Sequence, residues 1–177
     1  MLLNGANVNA TDIYGRTPLH FAALHRHTQM VESLIASGAD IYCRDIEGRT
    51  PLHLAALCGD TQMVELLIAK GADIDCRDNK GRTLLHIAAS FGHTRTVELL
   101  LNRGADPNYI DNNGWTPLHT ASSGGYDETV RFLLFIGADM DIVNTAKKTP
   151  YQLAKGRGHA RVIKIYKTYL SKGVHGR

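Results

Sequence analysis

The hexapeptide Gly48-Arg49-Thr50-Pro51-Leu52-His53 constrains this chain more than any other feature, because it returns at a fixed step. Threonine stands at 17, 50, 83, 116 and 149, each 33 residues after the last, and Gly-Ala-Asp begins at 38, 71, 104 and 137 on the same step. Gly5-Ala6-Asn7 falls one step earlier. A period of this length signals stacked units rather than one globular core. The apolar core is then a seam between neighbouring units, so the 177 residues count repeats and not domains. With 44% hydrophobic and 21% charged residues, the composition is that of an ordinary folded chain able to bury such a seam.

Residues 44–76 serve to read one unit. Asp45-Ile46-Glu47-Gly48 places Asp first and Gly fourth, the preference of a type I turn, and the pattern recurs from 12, 78 and 111. Thr50 offers an N-cap hydroxyl and Pro51 a first helical residue whose missing N–H is harmless there. Leu52, Ala55 and Ala56 share one face of that helix, which Gly59 ends. Met63, Val64, Leu66 and Leu67 make the apolar stripe of a second helix, and Gly71 stands where a left-handed cap is wanted. Helices of about eight or nine residues fall below the length at which isolated helices hold, so a unit must stack to be stable.

The run Asp-x-x-Gly-x-Thr-Pro-Leu-His-x-Ala-Ala, followed by Gly, a Val-x-Leu-Leu helix and Gly-Ala-Asp, resembles the ankyrin repeat. The resemblance covers nearly the whole chain. It implies an all-α solenoid of helix-turn-helix units with short hairpin tips, forming a single domain over 1–170. Residues 1–10 read as the tail of a preceding repeat, which suggests a fragment of a longer array. Repeats are expected at 11–43, 44–76, 77–109 and 110–142, a C-terminal capping repeat at 143–170, and a disordered tail at 171–177. Departures are visible at Arg26, where the other units carry Gly59, Gly92, Gly125 and Gly158, and a less regular inter-helix loop is expected there. Leu84 replaces proline, Ser122 an alanine, Trp115 an arginine and Gln152 a histidine; Asn144 and Lys147 stand where Asp and Gly belong. The last helix is expected to carry an apolar face of Val162, Ile163, Tyr166 and Leu170, with Arg161, Lys164 and Lys167 on another.

Two features fit chemistry but have plainer readings. His20, His53, His86 and His119 lie on successive units, too far apart to share a zinc ion held near 2 Å. The resemblance assigns them to a hydrogen-bond network between loops and helix starts. Cys58 reads as a tolerated small residue more readily than as a reactive thiol, and Cys43 and Cys76, one unit apart, are out of disulfide reach. Hydrolase, metalloprotease and phosphate-loop motifs are missing from the sequence. No enzyme, metal, cofactor or small-molecule substrate is expected. With no signal peptide and no apolar run long enough to span a bilayer, an intracellular location is expected, or a host cell if the parent is a secreted effector.

The resemblance implies binding of a protein partner, by a monomer, on a concave face made of hairpin tips and first helices. This selects Ile13, Tyr14 and Arg16; Ile46, Glu47 and Arg49; Asn79, Lys80 and Arg82; Asn112, Asn113 and Trp115; and, on the helices, Leu24, His25, Leu57, Cys58, Ser90 and Phe91. Tyr14, Phe91 and Trp115 stand out because aromatics dominate interface hot spots. Arg16, Arg49 and Arg82 form a column suited to an acidic partner segment, against the plainer reading of a solvated edge. Asn9 and Asn108 occupy positions where ankyrin asparagines can be hydroxylated. An alternative makes the chain the recognition segment of a larger adaptor or effector whose activity lies elsewhere. A second alternative rests on charge. The first 142 residues hold all 17 acidic groups and 11 of the 20 Lys and Arg, net −6, while the remaining 35 carry nine cations and no acid, net +9. That end could grip nucleic acid or an anionic membrane, though the cations are dispersed and a soluble basic cap is the simpler reading.

Overall fold

The computed structural model describes residues 7–171. The expectations for Leu2 to Ala6 and for the tail beyond Ser171 lie outside the described residues.

Among the described residues ten helices occur in five pairs: α1 (Pro18–Leu24) with α2 (Thr28–Ala36), α3 (Pro51–Leu57) with α4 (Thr61–Ala69), α5 (Leu84–Ser90) with α6 (Thr94–Asn102), α7 (Pro117–Gly124) with α8 (Asp127–Phe135), and α9 (Pro150–Gly156) with α10 (Ala160–Ser171). The first helices stack in one row from α1 to α9, and α4, α6, α8 and α10 stack consecutively in a second. Strand structure among the described residues is limited to one antiparallel bridge between Arg77 and Thr83.

The 33-residue step becomes columns of buried side chains. Leu19, Leu52, Leu85 and Leu118 form one; Val31, Val64, Val97 and Val130 another. A third runs Leu34, Leu67, Leu100, Leu133 and ends on Tyr166. Each such side chain contributes about 1.5–3 kcal/mol by leaving water, and most of its contacts cross between units, so stability resides in the stacking. Tyr166 explains Ser122: the tyrosine hydroxyl needs a buried partner, and the serine hydroxyl lies 2.7 Å away in the column otherwise held by Ala23, Ala56 and Ala89. On the apolar face of α10, Val162 and Tyr166 are buried whereas Leu170 is 43% exposed, and the helix continues one residue past the expected boundary at 170.

Turn chemistry fixes each unit's entrance. The Asp45 carboxylate accepts from the N–H groups of Glu47 and Arg49, both at 2.9 Å, and Asp12, Asp78 and Asp111 do the same in their units. Asn144 retains the arrangement in the fifth with an amide oxygen.

The loop at Arg26 is regular, contrary to expectation. His27 N–H donates to Ala22 O at 2.9 Å, as Asp60 and His93 do to Ala55 and Ala88 in units that carry glycine. Arg26 keeps that closure by adopting φ +63°, and Lys147 similarly takes φ +55° in the fifth hairpin. Strain is carried by the residue, not relieved by the loop.

Candidate binding face

Hairpin tips and first helices are tied together by hydrogen bonds that pass from unit to unit. Along the tips, Ile46 N–H donates to Tyr14 O, Asn79 to Glu47, Asn112 to Lys80 and Thr145 to Asn113, at 2.9–3.0 Å. Asn79 and Asn112 add carboxamide bonds back to Ile46 O and Asn79 O at 3.0 and 3.1 Å. Glycine at 48 is needed for this approach. Its φ is +74°, and a Cβ there would stand 2.8 Å from Asn79 N.

Behind the tips runs a histidine staircase. In His20, His53, His86 and His119, Nδ1 accepts from the Thr17, Thr50, Thr83 and Thr116 N–H groups at 3.1–3.3 Å. An Nδ1 that accepts leaves the proton on Nε2, and Nε2 donates to the next unit's Arg49 O, Trp115 O and Lys148 O at 2.8–3.0 Å from His20, His86 and His119. All four rings are buried. Desolvation pushes all four below the ordinary imidazole range, His53 to about 4. They are structural linkers in their neutral form, as the family resemblance implied. Gln152, which is exposed, reproduces only the helix-start contact: its Oε1 accepts from Thr149 N–H at 3.0 Å.

The arginine column is internally neutralised. Arg16, Arg49 and Arg82 each pair with the aspartate opening their own turn, Asp12, Asp45 and Asp78, at 2.6–2.7 Å. Arg49 also lies 3.2 Å from Glu47. Burial alone would raise the Asp78 carboxyl, but the Arg82 side chain and N–H hold it below its usual value. The acidic-partner argument therefore loses three of its four cations to the scaffold; Lys148 alone continues the column.

Several other candidates are likewise spent inside the array. Cys58 Sγ donates to Leu24 O at 3.3 Å and burial raises its thiol, while Ser90 Oγ donates to Ile87 O at 2.8 Å within its own helix. Cys76 is pushed up to about 11 by burial, and all three cysteines are free thiols. Trp115 is half-buried with its ring tilted against His119 at 6.1 Å. Leu24 and Leu57 are half-buried; Glu47, Lys80, Asn113 and His25 are exposed. The carboxamide of Asn9 accepts from Asp40 N–H and that of Asn108 from Asp139 N–H, both at 2.8 Å, so each bridges two units.

Besides the exposed Lys80, Asn113, His25 and Lys148, large apolar side chains remain unspent. Ile13 is 87% exposed, Ile46 62%, Phe91 50% and Tyr14 49%. Phe21, overlooked in the sequence, joins them. The Arg16 guanidinium lies 4.8 Å from the Tyr14 ring centre and 4.6 Å from that of Phe21, holding both rings in place. Leu54 and Ile87, its equivalents, are buried between two first helices, whereas the only described first helix beside α1 is α3. Phe91 stacks on His93 at 5.9 Å, and His93 is itself anchored to Leu57 O at 3.0 Å. Among the described residues no group of His, Cys, Asp or Glu is placed to share a metal ion, and no helix is long and apolar enough to cross a membrane.

Stacked two-helix units linked by hairpin hydrogen bonds define a repeat solenoid. A family model described as ankyrin repeats (3 copies) matches residues 1–78 and 52–144, and the chain belongs to the ankyrin-repeat family. No curated protein matches it. Ankyrin repeats are generally protein–protein interaction modules and are typically non-catalytic.

Proposed function

We propose that this chain is a non-catalytic docking module that binds a partner protein on the side formed by its hairpin tips and first helices. The observation that carries the reading is the exposure of Ile13, Tyr14 and Ile46, with Phe91 further along, on a face whose arginines and hairpin residues Asn79 and Asn112 are engaged within the array. Large apolar side chains left to water on a hydrogen-bonded frame mark an interaction site. Because the frame is already ordered, little further entropy is lost on association. The geometry favours a partner with apolar anchors over a merely acidic one, since the three arginines nearest the cluster are paired.

The test is capture of partners from nuclease-treated lysate by the chain and by an Ile13→Ser, Tyr14→Ala, Phe91→Ala variant, followed by affinity measurement for each protein found. One anchor of this kind contributes about 2 kcal/mol or more, so the variant should weaken binding at least about thirtyfold. A partner bound equally by both places the working surface elsewhere.

A further inference from the structure

On the second-helix row, charge reverses partway along the array. The column occupied by Glu32, Glu65 and Glu98 passes to Arg131 and then Lys164, and that of Ala36, Ala69 and Asn102 passes to Phe135. Between α4 and α6 this face carries an ion pair across units, Glu65 with Arg103 at 2.7 Å. The equivalent positions between α8 and α10 are Arg131 and Tyr169, which cannot form that pair. In its place lies a groove of about 730 Å³. Leu134, Ile165 and Tyr169 line it, Arg131, Arg161 and Lys164 rim it, and Phe135, 81% exposed, stands at its edge. Asp127 is its single lining carboxylate against three cations, none of which forms an ion pair among the described residues.

We propose that this groove is a second docking surface, which takes an acidic segment of a partner protein that seats a large apolar side chain between α8 and α10. The volume falls in the range of sites that enclose a ligand, and apolar walls under a cationic rim complement an apolar anchor flanked by carboxylates. A flat anionic membrane is the poorer fit. Its headgroups could meet the three cations, but Leu134, Ile165 and Tyr169 are recessed in a concavity, whereas membrane-surface helices present their apolar face outward. The surface is independent of the hairpin face, because it lies on the other helix row.

The test is a selection of short random peptides displayed on phage against the full chain at physiological salt. Enriched sequences are then synthesised with a fluorescent label and titrated by anisotropy. Variants copy the chain's own earlier units: Arg131→Glu with Lys164→Glu, and separately Phe135→Asn. These residue types are already accommodated in the same column, and circular dichroism verifies the fold. The expected result is a set of peptides with Asp or Glu flanking Phe, Trp or Leu. Either variant should weaken their binding at least about tenfold, and the Tyr14→Ala, Phe91→Ala variant should not alter it. The proposal is overturned by failure to enrich peptides, by enriched peptides without acidic residues, or by affinities indifferent to the charge reversal. Vesicles of phosphatidylcholine with phosphatidylserine that sediment the chain through Arg131 and Lys164, with no peptide selected, would overturn it in favour of a lipid surface.

Discussion

Replacing His53 with glutamine should remove part of the array's sensitivity to acid while leaving its architecture intact. The ring is fully buried, and its Nδ1 accepts the Thr50 N–H at 3.1 Å. Protonation would turn that acceptor into a donor facing a donor, inside a site with little water to compensate. In the fold His53 titrates near 4, against 6.5 for an unperturbed imidazole. The sign follows directly. Above 6.5 neither state binds the proton and His53 contributes no pH dependence. Between 6.5 and 4 the unfolded chain binds it and the folded chain does not, so stability declines as pH falls. At about 1.4 kcal/mol per pH unit, His53 alone accounts for about 2 kcal/mol lost at pH 5. His20, His86 and His119 are shifted the same way and steepen the acid limb further.

Glutamine is the right replacement because the fifth unit already uses it: Gln152 Oε1 accepts from Thr149 N–H at 3.0 Å without titrating. Urea unfolding followed by circular dichroism and Trp115 fluorescence, at pH 7.5, 6 and 5, measures both proteins. The variant should be less stable at pH 7.5, having lost a buried ring, and the gap should narrow or invert by about 2 kcal/mol at pH 5. Carboxylates that titrate nearby are common to both proteins and cancel in the difference. A gap constant across this range, or a His53 resonance titrating near 6.5 in the folded protein, would refute the reasoning.

Lys147→Gly should raise stability by about 0.5–1 kcal/mol in the same urea assay, because φ +55° strains an L-residue more than glycine adds chain entropy. Arg26→Gly should gain less, since Arg26 Nη2 donates to Cys58 O at 2.7 Å and that bond is lost. Gly81→Ala should destabilise by about 2 kcal/mol or more, as its Cβ would meet Asn112 N at 3.1 Å from a backbone at φ +73°. Ser122→Ala and Tyr166→Phe should each be destabilising by about 1–3 kcal/mol through an orphaned buried hydroxyl, while the double variant should recover much of the loss.

Much of the fold was legible because the 33-residue step repeats both cap and turn chemistry: a Thr-Pro start, a fourth-position glycine and a glycine after the second helix each specify a local backbone state. The histidine role was legible from the resemblance, but its tautomer required geometry such as that of His20 with Thr17 N–H and Arg49 O. The binding face was harder. Arg16, Arg49 and Arg82 read as a free column because residue type reveals charge and not pairing, although an aspartate four residues earlier in each turn carried the signal. Phe21 was missed because its equivalents are apolar too; only its exposure distinguishes it. Tyr166 was legible in the apolar face of the last helix, but its pairing with Ser122 was not; extending the Leu34–Leu133 column one step places there a hydroxyl that demands the partner Ser122 supplies.

In a repeat array the chain provides its own internal control. Where a column retains its residue, as at Leu19, Leu52, Leu85 and Leu118, stacking explains it without further function. Where a column changes and the new side chain finds a partner in the array, as at Ser122 and Tyr166, the change is again structural. Two regions have changes without such compensation among the described residues: the first hairpins, where Ile13 and Tyr14 meet water, and the last pair of second helices, where a glutamate column becomes cationic beside an exposed Phe135. The exposed side chains themselves take no part in stacking, and exposed Ile or Phe adds nothing to solubility. Such departures on a frame otherwise closed by hydrogen bonds are the physical reason for proposing binding there. They also separate the two surfaces experimentally, because substitutions that restore the earlier residue type at 131, 135 or 164 leave the hairpin face untouched.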